Sequence, residues 1–384
     1  MKVMVALTMA VLPFAGGLLA EGPVPVRPTP SKAARPVVAV RGGKSAAAVP
    51  MAVYRWGAAN STGGAKGVEA FGKWVNRPDV WAEDFEACDR WHDNIAGGGW
   101  QLGEWGAWKR QNPKARRLVL SVPLLPGGWD RSGSRAENEK GKVSLAAGAA
   151  GEYNRHFESL AKMLVRYGLD DVILRLGWEM NGGWYSWRAS GEASEFAAYF
   201  RQIVQTMRAV EGTENFKFCW NPALGWLQFP CDQCYPGDEW VDYIGVDVYD
   251  DSWAQNTYPL TDSMSEKEME ERRIRAWNEV IWGGNFGLKW FIDFAKRHKK
   301  PMCIPEWGVN RRPDGHGGLD DPGFIERMHK VISDPANNIA WHCYFDVEAG
   351  DGKHQLSPGL NGKHQTIFPR SSAKFLELFA AGAR

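Results

Sequence analysis

The stretch Asp171-Val172-Ile173-Leu174-Arg175-Leu176-Gly177-Trp178-Glu179-Met180-Asn181-Gly182-Gly183-Trp184-Tyr185-Ser186-Trp187 decides how the rest of the chain is read. Its first half is an apolar, β-branched run, the pattern of a strand buried on both faces. The run stops at Gly177, and Glu179 follows at its carboxyl end, ahead of a Gly-rich turn carrying three aromatics. A carboxylate resists low dielectric, so a Glu in this position has a raised pKa and a chemical task, or else it simply pairs with Arg175.

Working outward, the same rhythm of strand, loop and helix repeats. A helix from Gly151 to Tyr167 places Tyr153, Phe157, Leu160, Ala161, Leu164 and Val165 at helical spacing and stops at Gly168. The next helix opens at Ser194 as its N-cap and buries Phe196, Phe200, Ile203, Val204 and Met207. Further strands are read from Ala52 to Gly57, Arg117 to Val122, Phe216 to Trp220, Tyr243 to Tyr249, Met302 to Glu306 and Ile339 to Phe345. A second strand falls somewhere between Asp79 and Ile95. Helical regions run from Ser265 to His298, Gly323 to Ser333 and Ser372 to Ala381. Seven or eight such units predict an α/β fold of the (β/α)8 TIM-barrel kind as a single domain over residues 51–384. A doubly wound open sheet is the alternative, disfavoured because no Gly-rich phosphate loop follows the first strand.

The ends of the chain read differently. Lys2, the apolar run Val3 to Leu12 and the small residues up to Ala20 form a signal peptide over residues 1–20, which predicts a secreted or periplasmic protein. Residues 21–50 are a Pro-rich linker without periodicity. No later apolar run is long enough to span a bilayer. The formal net charge of +1 gives no bias toward nucleic acid or anionic lipid. The expectation is a monomer with no nucleic-acid or membrane partner.

Barrel geometry then sorts the candidate residues. Side chains at the carboxyl ends of barrel strands point into one shared site, whatever their separation in sequence. Glu179 ends the fourth strand and Glu306 the seventh, so the two carboxyls face each other across the barrel mouth. Paired carboxyls about 5–5.5 Å apart serve retaining glycoside hydrolysis, one as acid/base and one as nucleophile. Tyr249, at the end of the sixth strand, is placed to hold Glu306, and alternation puts Asp247 on the same face. The chain carries 20 Trp, and flat, half-polar rings suit stacking on sugar faces. Trp184, Tyr185 and Trp187 follow Glu179, Trp220-Asn221 and Trp226 follow the fifth strand, and Trp307 follows Glu306. Asp247, Asp250 and Asp251 are further candidates for sugar hydroxyls.

These residues resemble glycoside hydrolase family 26. The stretch Arg175 to Trp187, with an Arg four residues before a Glu and Asn, Gly and Trp after it, is similar to that family's acid/base segment. Ile304-Pro305-Glu306-Trp307-Gly308 is similar to its nucleophile segment. The resemblance implies Glu179 as acid/base and Glu306 as nucleophile, no cofactor, and a β-linked polysaccharide as substrate, most often β-1,4-mannan and in some members β-1,3-xylan or mixed-linkage β-glucan. Arg175, Trp178, Asn181, Trp184, Trp187, Trp220, Asn221, Tyr249 and Trp307 are the expected substrate-binding residues. One departure is Trp178, where the family usually has His before the acid/base Glu. A catalytically silent carbohydrate-binding barrel is the reading from another class; it needs neither Glu.

The remaining motifs are weaker. Of the six cysteines, Cys231 and Cys234 are expected to form a local disulfide, and Cys303 and Cys343 are read either as free thiols or as a bridge. No His-Glu-x-x-His pattern or nucleophile elbow is present, so no metal and no esterase chemistry is expected. The sequon Asn60-Ser61-Thr62 follows the first strand, at the predicted active face, and is discounted.

Overall fold

The computed structural model describes residues 49–55, 64–88, 90–127, 143–360 and 362–382. The expected leader, residues 21–48 of the linker, the Trp56-Gly57 end of the first strand and the Asn60-Ser61-Thr62 sequon lie outside the described residues.

Eight parallel strands form the barrel: β1 (Met51–Tyr54), β2 (Trp81–Phe85), β3 (Leu118–Val122), β4 (Ile173–Leu176), β5 (Lys217–Trp220), β6 in two pieces (Tyr243–Gly245 and Val248–Tyr249), β7 (Met302–Gly308) and β8 (Ile339–Phe345). Each pairs with its neighbour in sequence, and β8 returns to β1 in the register Met51↔His342 to Tyr54↔Phe345, which closes the sheet on itself. The outer layer comprises α1 (Gly64–Trp74), α2 (Gly99–Gln111), α3 (Leu145–Ala149), α4 (Asn154–Arg166), α5 (Ala193–Arg208), α6 (Glu266–Ala276), α7 (Leu288–Arg297), α8 (Pro322–Ser333) and α9 (Pro369–Phe379). The expected (β/α)8 barrel is the observed fold.

Alternation along the strands builds two cores. Leu118, Leu120, Val122, Leu174 and Leu176 face outward under the helices. Ala52, Val119, Ile173, Cys219, Cys303 and Cys343 face inward and fill the foot of the barrel. Two residues higher on β3 and β4, the paired Ser121 and Arg175 begin a polar layer. On β7, alternation is broken. Ile304 pairs with His342 but Trp307 pairs with Tyr344, so three residues' advance on β7 faces two on β8. This bulge falls at Pro305-Glu306, where Pro has no N–H to lose from the ladder. Its effect is to turn Glu306 inward and Trp307 outward.

Several expectations need correction. The helix α5 begins at Ala193 with Glu192 at its N-cap, and the Ser194 hydroxyl bonds to the neighbouring Glu195 carboxylate instead of capping. The helical region predicted from Ser265 to His298 is two helices, joined through a wide turn at Trp277–Trp282. Strand β6 breaks because the Asp247 N–H bonds to the Pro222 carbonyl. The expected Cys231–Cys234 disulfide is not formed, and Cys303 and Cys343 are not bridged; Cys231 and Cys234 share one buried turn in which the Cys234 thiol donates to the Cys231 carbonyl at 3.0 Å. Among the described residues no helix is long and apolar enough to cross a membrane.

Candidate active site

Arg175 is the centre of the polar layer. It is fully buried and donates to Glu83 (2.6 Å), Ser121 (2.8 Å), Asn221 (2.5 Å), Asp247 (2.6 Å) and Glu306 (2.5 Å). One guanidinium thus faces three carboxyls, and its planar fork suits that task. Burial outweighs its attraction for Glu83, whose carboxyl is pushed up to about 7. Asp247 is raised well above its ordinary value, again chiefly by burial. For Glu83 and Asp247, desolvation by burial exceeds what one shared cation returns.

Glu306 is fixed at both oxygens. Its Oε1 accepts from Arg175 and its Oε2 accepts from the Tyr249 hydroxyl at 2.6 Å. These two donors orient the carboxylate at the mouth of the barrel. Glu179 lies on the turn after β4, with φ +53°, a left-handed conformation that costs a non-glycine residue about 1–3 kcal/mol. Gly177, at φ +55°, makes the turn possible: a Cβ there would lie 2.6 Å from Leu124. The strained turn is held by the Glu179 N–H, which donates to the Asn221 carbonyl at 2.7 Å. Trp184 Nε1 donates to Glu179 Oε2 at 2.9 Å. Burial, and next the charge of Glu306, push the Glu179 carboxyl up to about 8, against the opposing pull of the Trp184 bond and Arg175.

The two carboxyls stand in a cleft with two halves. One, of about 700 Å³, is lined by Glu179, Glu306, Tyr249, Trp178 and Phe85, among others. The other, of about 900 Å³, is lined by Glu179, Trp184, Trp226, Trp253 and Tyr249 without Glu306. Asp251 and Arg312 border both halves. Burial, opposed by Arg312, raises Asp251 to about 7.

Five of the residues expected at the site therefore line the cleft: Glu179, Glu306, Trp178, Trp184 and Tyr249. Six expected substrate contacts do not reach it, and each has an internal partner or packing role instead. Arg175 and Asn221 are fully buried in the polar layer, Asn221 linking Arg175 to the Glu179 turn. Asn181 is a two-way latch, donating to the Ala223 carbonyl (2.8 Å) and accepting from the Ala223 N–H (2.9 Å). Trp187 stacks on Tyr185 and donates to the Trp178 carbonyl. Trp220 packs between Tyr235 and Phe294. Trp307, turned outward by the bulge, donates to His342 and packs against Phe375 and Phe379. Asp250 is likewise buried and accepts from Tyr258.

Sequence reasoning missed Glu83, Ser121, Trp253 and Arg312. Glu83 was legible in principle, as the inward residue of Trp81-Ala82-Glu83-Asp84-Phe85, but two adjacent carboxylates disguise that strand. Among the described residues no group of three or more His, Cys, Asp or Glu is arranged to hold a metal ion.

Residues 127–267, the segment containing Arg175 and Glu179, match the family model for glycosyl hydrolase family 26. A mannan endo-1,4-beta-mannosidase from Bifidobacterium adolescentis is 32% identical over 215 residues, covering 53% of this chain and 20% of that protein. Endoglucanase H from Acetivibrio thermocellus is 30% identical over 146 residues, covering 32% of this chain and 15% of that protein. The chain thus spans a fifth or less of the length of these two curated relatives. A double mutant of the Cellulomonas fimi endo-beta-1,4-mannanase superposes with a TM-score of 0.58 at 16% identity, over 88% of this chain and 71% of that one. GH26C from a Muricauda species superposes with a TM-score of 0.56 at 15% identity, over 88% and 86%. The two superpositions are likenesses of fold. The family match runs through the segment that carries Arg175 and Glu179, and this segment is similar to glycosyl hydrolase family 26.

Proposed function

We propose that the protein is a retaining endo-glycoside hydrolase of β-linked polysaccharides, with Glu179 as acid/base and Glu306 as nucleophile. The observation that carries this reading is the unequal setting of the two carboxyls. Glu179, pushed up to about 8, keeps its proton at neutral pH and can donate it to a glycosidic oxygen. Glu306, held by Arg175 and Tyr249, presents its carboxylate to an anomeric carbon. In the first step Glu306 attacks that carbon while Glu179 protonates the departing oxygen. The ester so formed removes the negative charge of Glu306, which is the second cause of the raised pKa of Glu179. With that charge gone, Glu179, left as a carboxylate by the proton it gave the leaving group, is stable in ionised form and activates the water that hydrolyses the ester.

β-Mannan is the first substrate to test, because mannan is named for one curated relative and for the Cellulomonas fimi structure. β-1,3-Xylan and mixed-linkage β-glucan are the alternatives, favoured by Trp178 in place of the family's usual His and by a relative named as an endoglucanase. A cleft continuing on both sides of Glu179 suits attack within a chain. The leader-like segment supports export.

Reducing-sugar release from glucomannan, galactomannan, β-1,3-xylan, mixed-linkage glucan and laminarin tests this, with wild type and Glu306→Ala side by side. Activity on one glycan that falls by on the order of 10⁴–10⁶ in the variant is the expected result. A wild type that binds one glycan but cleaves none is the result of a carbohydrate-binding barrel and would overturn the proposal.

A further inference from the structure

Of the three carboxyls on Arg175, Glu83 alone is out of a substrate's reach. Its side chain is fully buried and lines neither half of the cleft, whereas Glu306 lines one half and Asp247 the other. Anything Glu83 does for the reaction it does through the guanidinium.

The five N–H groups of Arg175 meet five acceptors: Nε donates to Asn221, Nη1 to Glu83 and Ser121, and Nη2 to Asp247 and Glu306. A planar fork engaged at every donor cannot swing toward one carboxyl when another changes charge. What can change is where the protons lie. Glu83 is poised for that: burial raises it most, Arg175 opposes, and the charge of Glu306 raises it further, to about 7. The titratable and polar groups that face it are Arg175 on β4, Ser121 on β3, Cys343 on β8, Tyr54 on β1, Glu306 on β7 and Asp247 at the break in β6. Arg175 is the one cation among them.

The reaction changes that balance. On the roles given above, Glu306 becomes a neutral ester in the glycosyl-enzyme, and the guanidinium loses one carboxylate while it stays buried. The Coulomb repulsion that disfavours an ionised Glu83 in the free enzyme is then gone, and the attraction of Arg175 remains.

We propose that Glu83 is a positioning residue that trades charge with Glu306 through Arg175, protonated in weakly acid solution while Glu306 is a carboxylate and ionised while Glu306 carries the sugar. The Glu83 proton leaves to solvent when the ester forms and returns when Glu306 is released as carboxylate. The buried guanidinium thereby keeps an ionised partner through both steps. The inference rests on Glu306 being the nucleophile.

NMR titration of protein labelled with ¹³C at its glutamate carboxyls tests this, free and as the glycosyl-enzyme trapped with an activated 2-deoxy-2-fluoro glycoside. The Glu83 resonance is the one missing from Glu83→Gln. If that variant does not fold, Ser121→Ala identifies the resonance, because it removes a donor to Glu83 Oε1 and so moves its titration. The expected result is a midpoint near 7 in the free enzyme that falls by about one pH unit or more on trapping. Glu83→Gln, which accepts from Arg175 but cannot ionise, should lose about threefold to tenfold in kcat/KM, with release of the trapped sugar no slower. A titration unchanged by trapping is that of a purely structural counter-ion; it overturns the proposal and leaves the nucleophile standing, as does a wild-type kcat/KM in Glu83→Gln. Trapping on a carboxylate other than Glu306 overturns the nucleophile assignment, and the proposal with it.

Discussion

Glu306 owes its position to Pro305. Strict alternation from the inward Cys303 would turn Glu306 toward the helices and Trp307 toward the cleft. The bulge at Pro305 reverses both, and the reversal cannot be read from a pattern that assumes a regular period of two. Glu179 was legible because a Glu between an apolar run and a Gly-rich turn pays a desolvation cost that only a chemical task or a close cation offsets. Its left-handed backbone was not legible, since nothing in the side chain requires it. The Trp184 bond to Glu179 Oε2 stabilises the ionised carboxyl. Trp184→Phe removes the donor, raises the Glu179 pKa further and therefore shifts the alkaline limb of kcat/KM to higher pH. In the wild type that limb is expected near pH 8, with activity lost as pH rises because the proton to be donated is gone.

At the scale of elements, the strands buried on both faces and the strongly periodic helices were readable. The residues after them were sorted less well, because a loop aromatic reads the same whether it faces a cleft or a core. Trp187, Trp220 and Trp307 are all fully buried. In the case of Trp307 the reason is the surface it meets, formed by His342, Phe324, Tyr344, Phe375 and Phe379. Trp307→Ala should destabilise the fold by about 3–5 kcal/mol in urea unfolding. If Trp307 were a sugar contact, the same change would raise KM with stability little altered. Strand β2 was the element hardest to place; its Glu83 and Asp84 belong to two different environments, Glu83 to the barrel interior with Arg175 and Asp84 to the helix layer, where Gln101 and Trp105 donate to it.

At the scale of the molecule, burial sets how stability follows pH. His342 accepts the Trp307 N–H at Nδ1, so it is neutral, and burial lowers it to about 3; burial lowers His354 to about 4. These depressed groups contribute stability above the unfolded histidine value of about 6.5, and that stability is lost as pH falls from there toward 3–4. Glu83 and Glu179, raised to about 7 and 8, contribute stability below the unfolded value of about 4.3 that is lost as pH rises toward 8. Between about 4.3 and 6.5 the two slopes oppose each other; outside that window one acts alone. Thermal unfolding across pH should show Tm falling below pH 4 and falling again from pH 6.5 to 8. The second fall should be smaller in Glu83→Gln, where one of the titrating groups is absent.

The central claim is that Glu306 forms a covalent bond to sugar while Glu179 handles the proton. An activated 2-deoxy-2-fluoro glycoside of the cleaved sugar slows the second step and lets the intermediate accumulate, so peptide mapping by mass spectrometry reads the nucleophile directly. The account predicts one added glycosyl mass on the peptide carrying Glu306, absent in Glu306→Ala. A label on any other carboxylate, or turnover of the substrate with no covalent species at all, would contradict it.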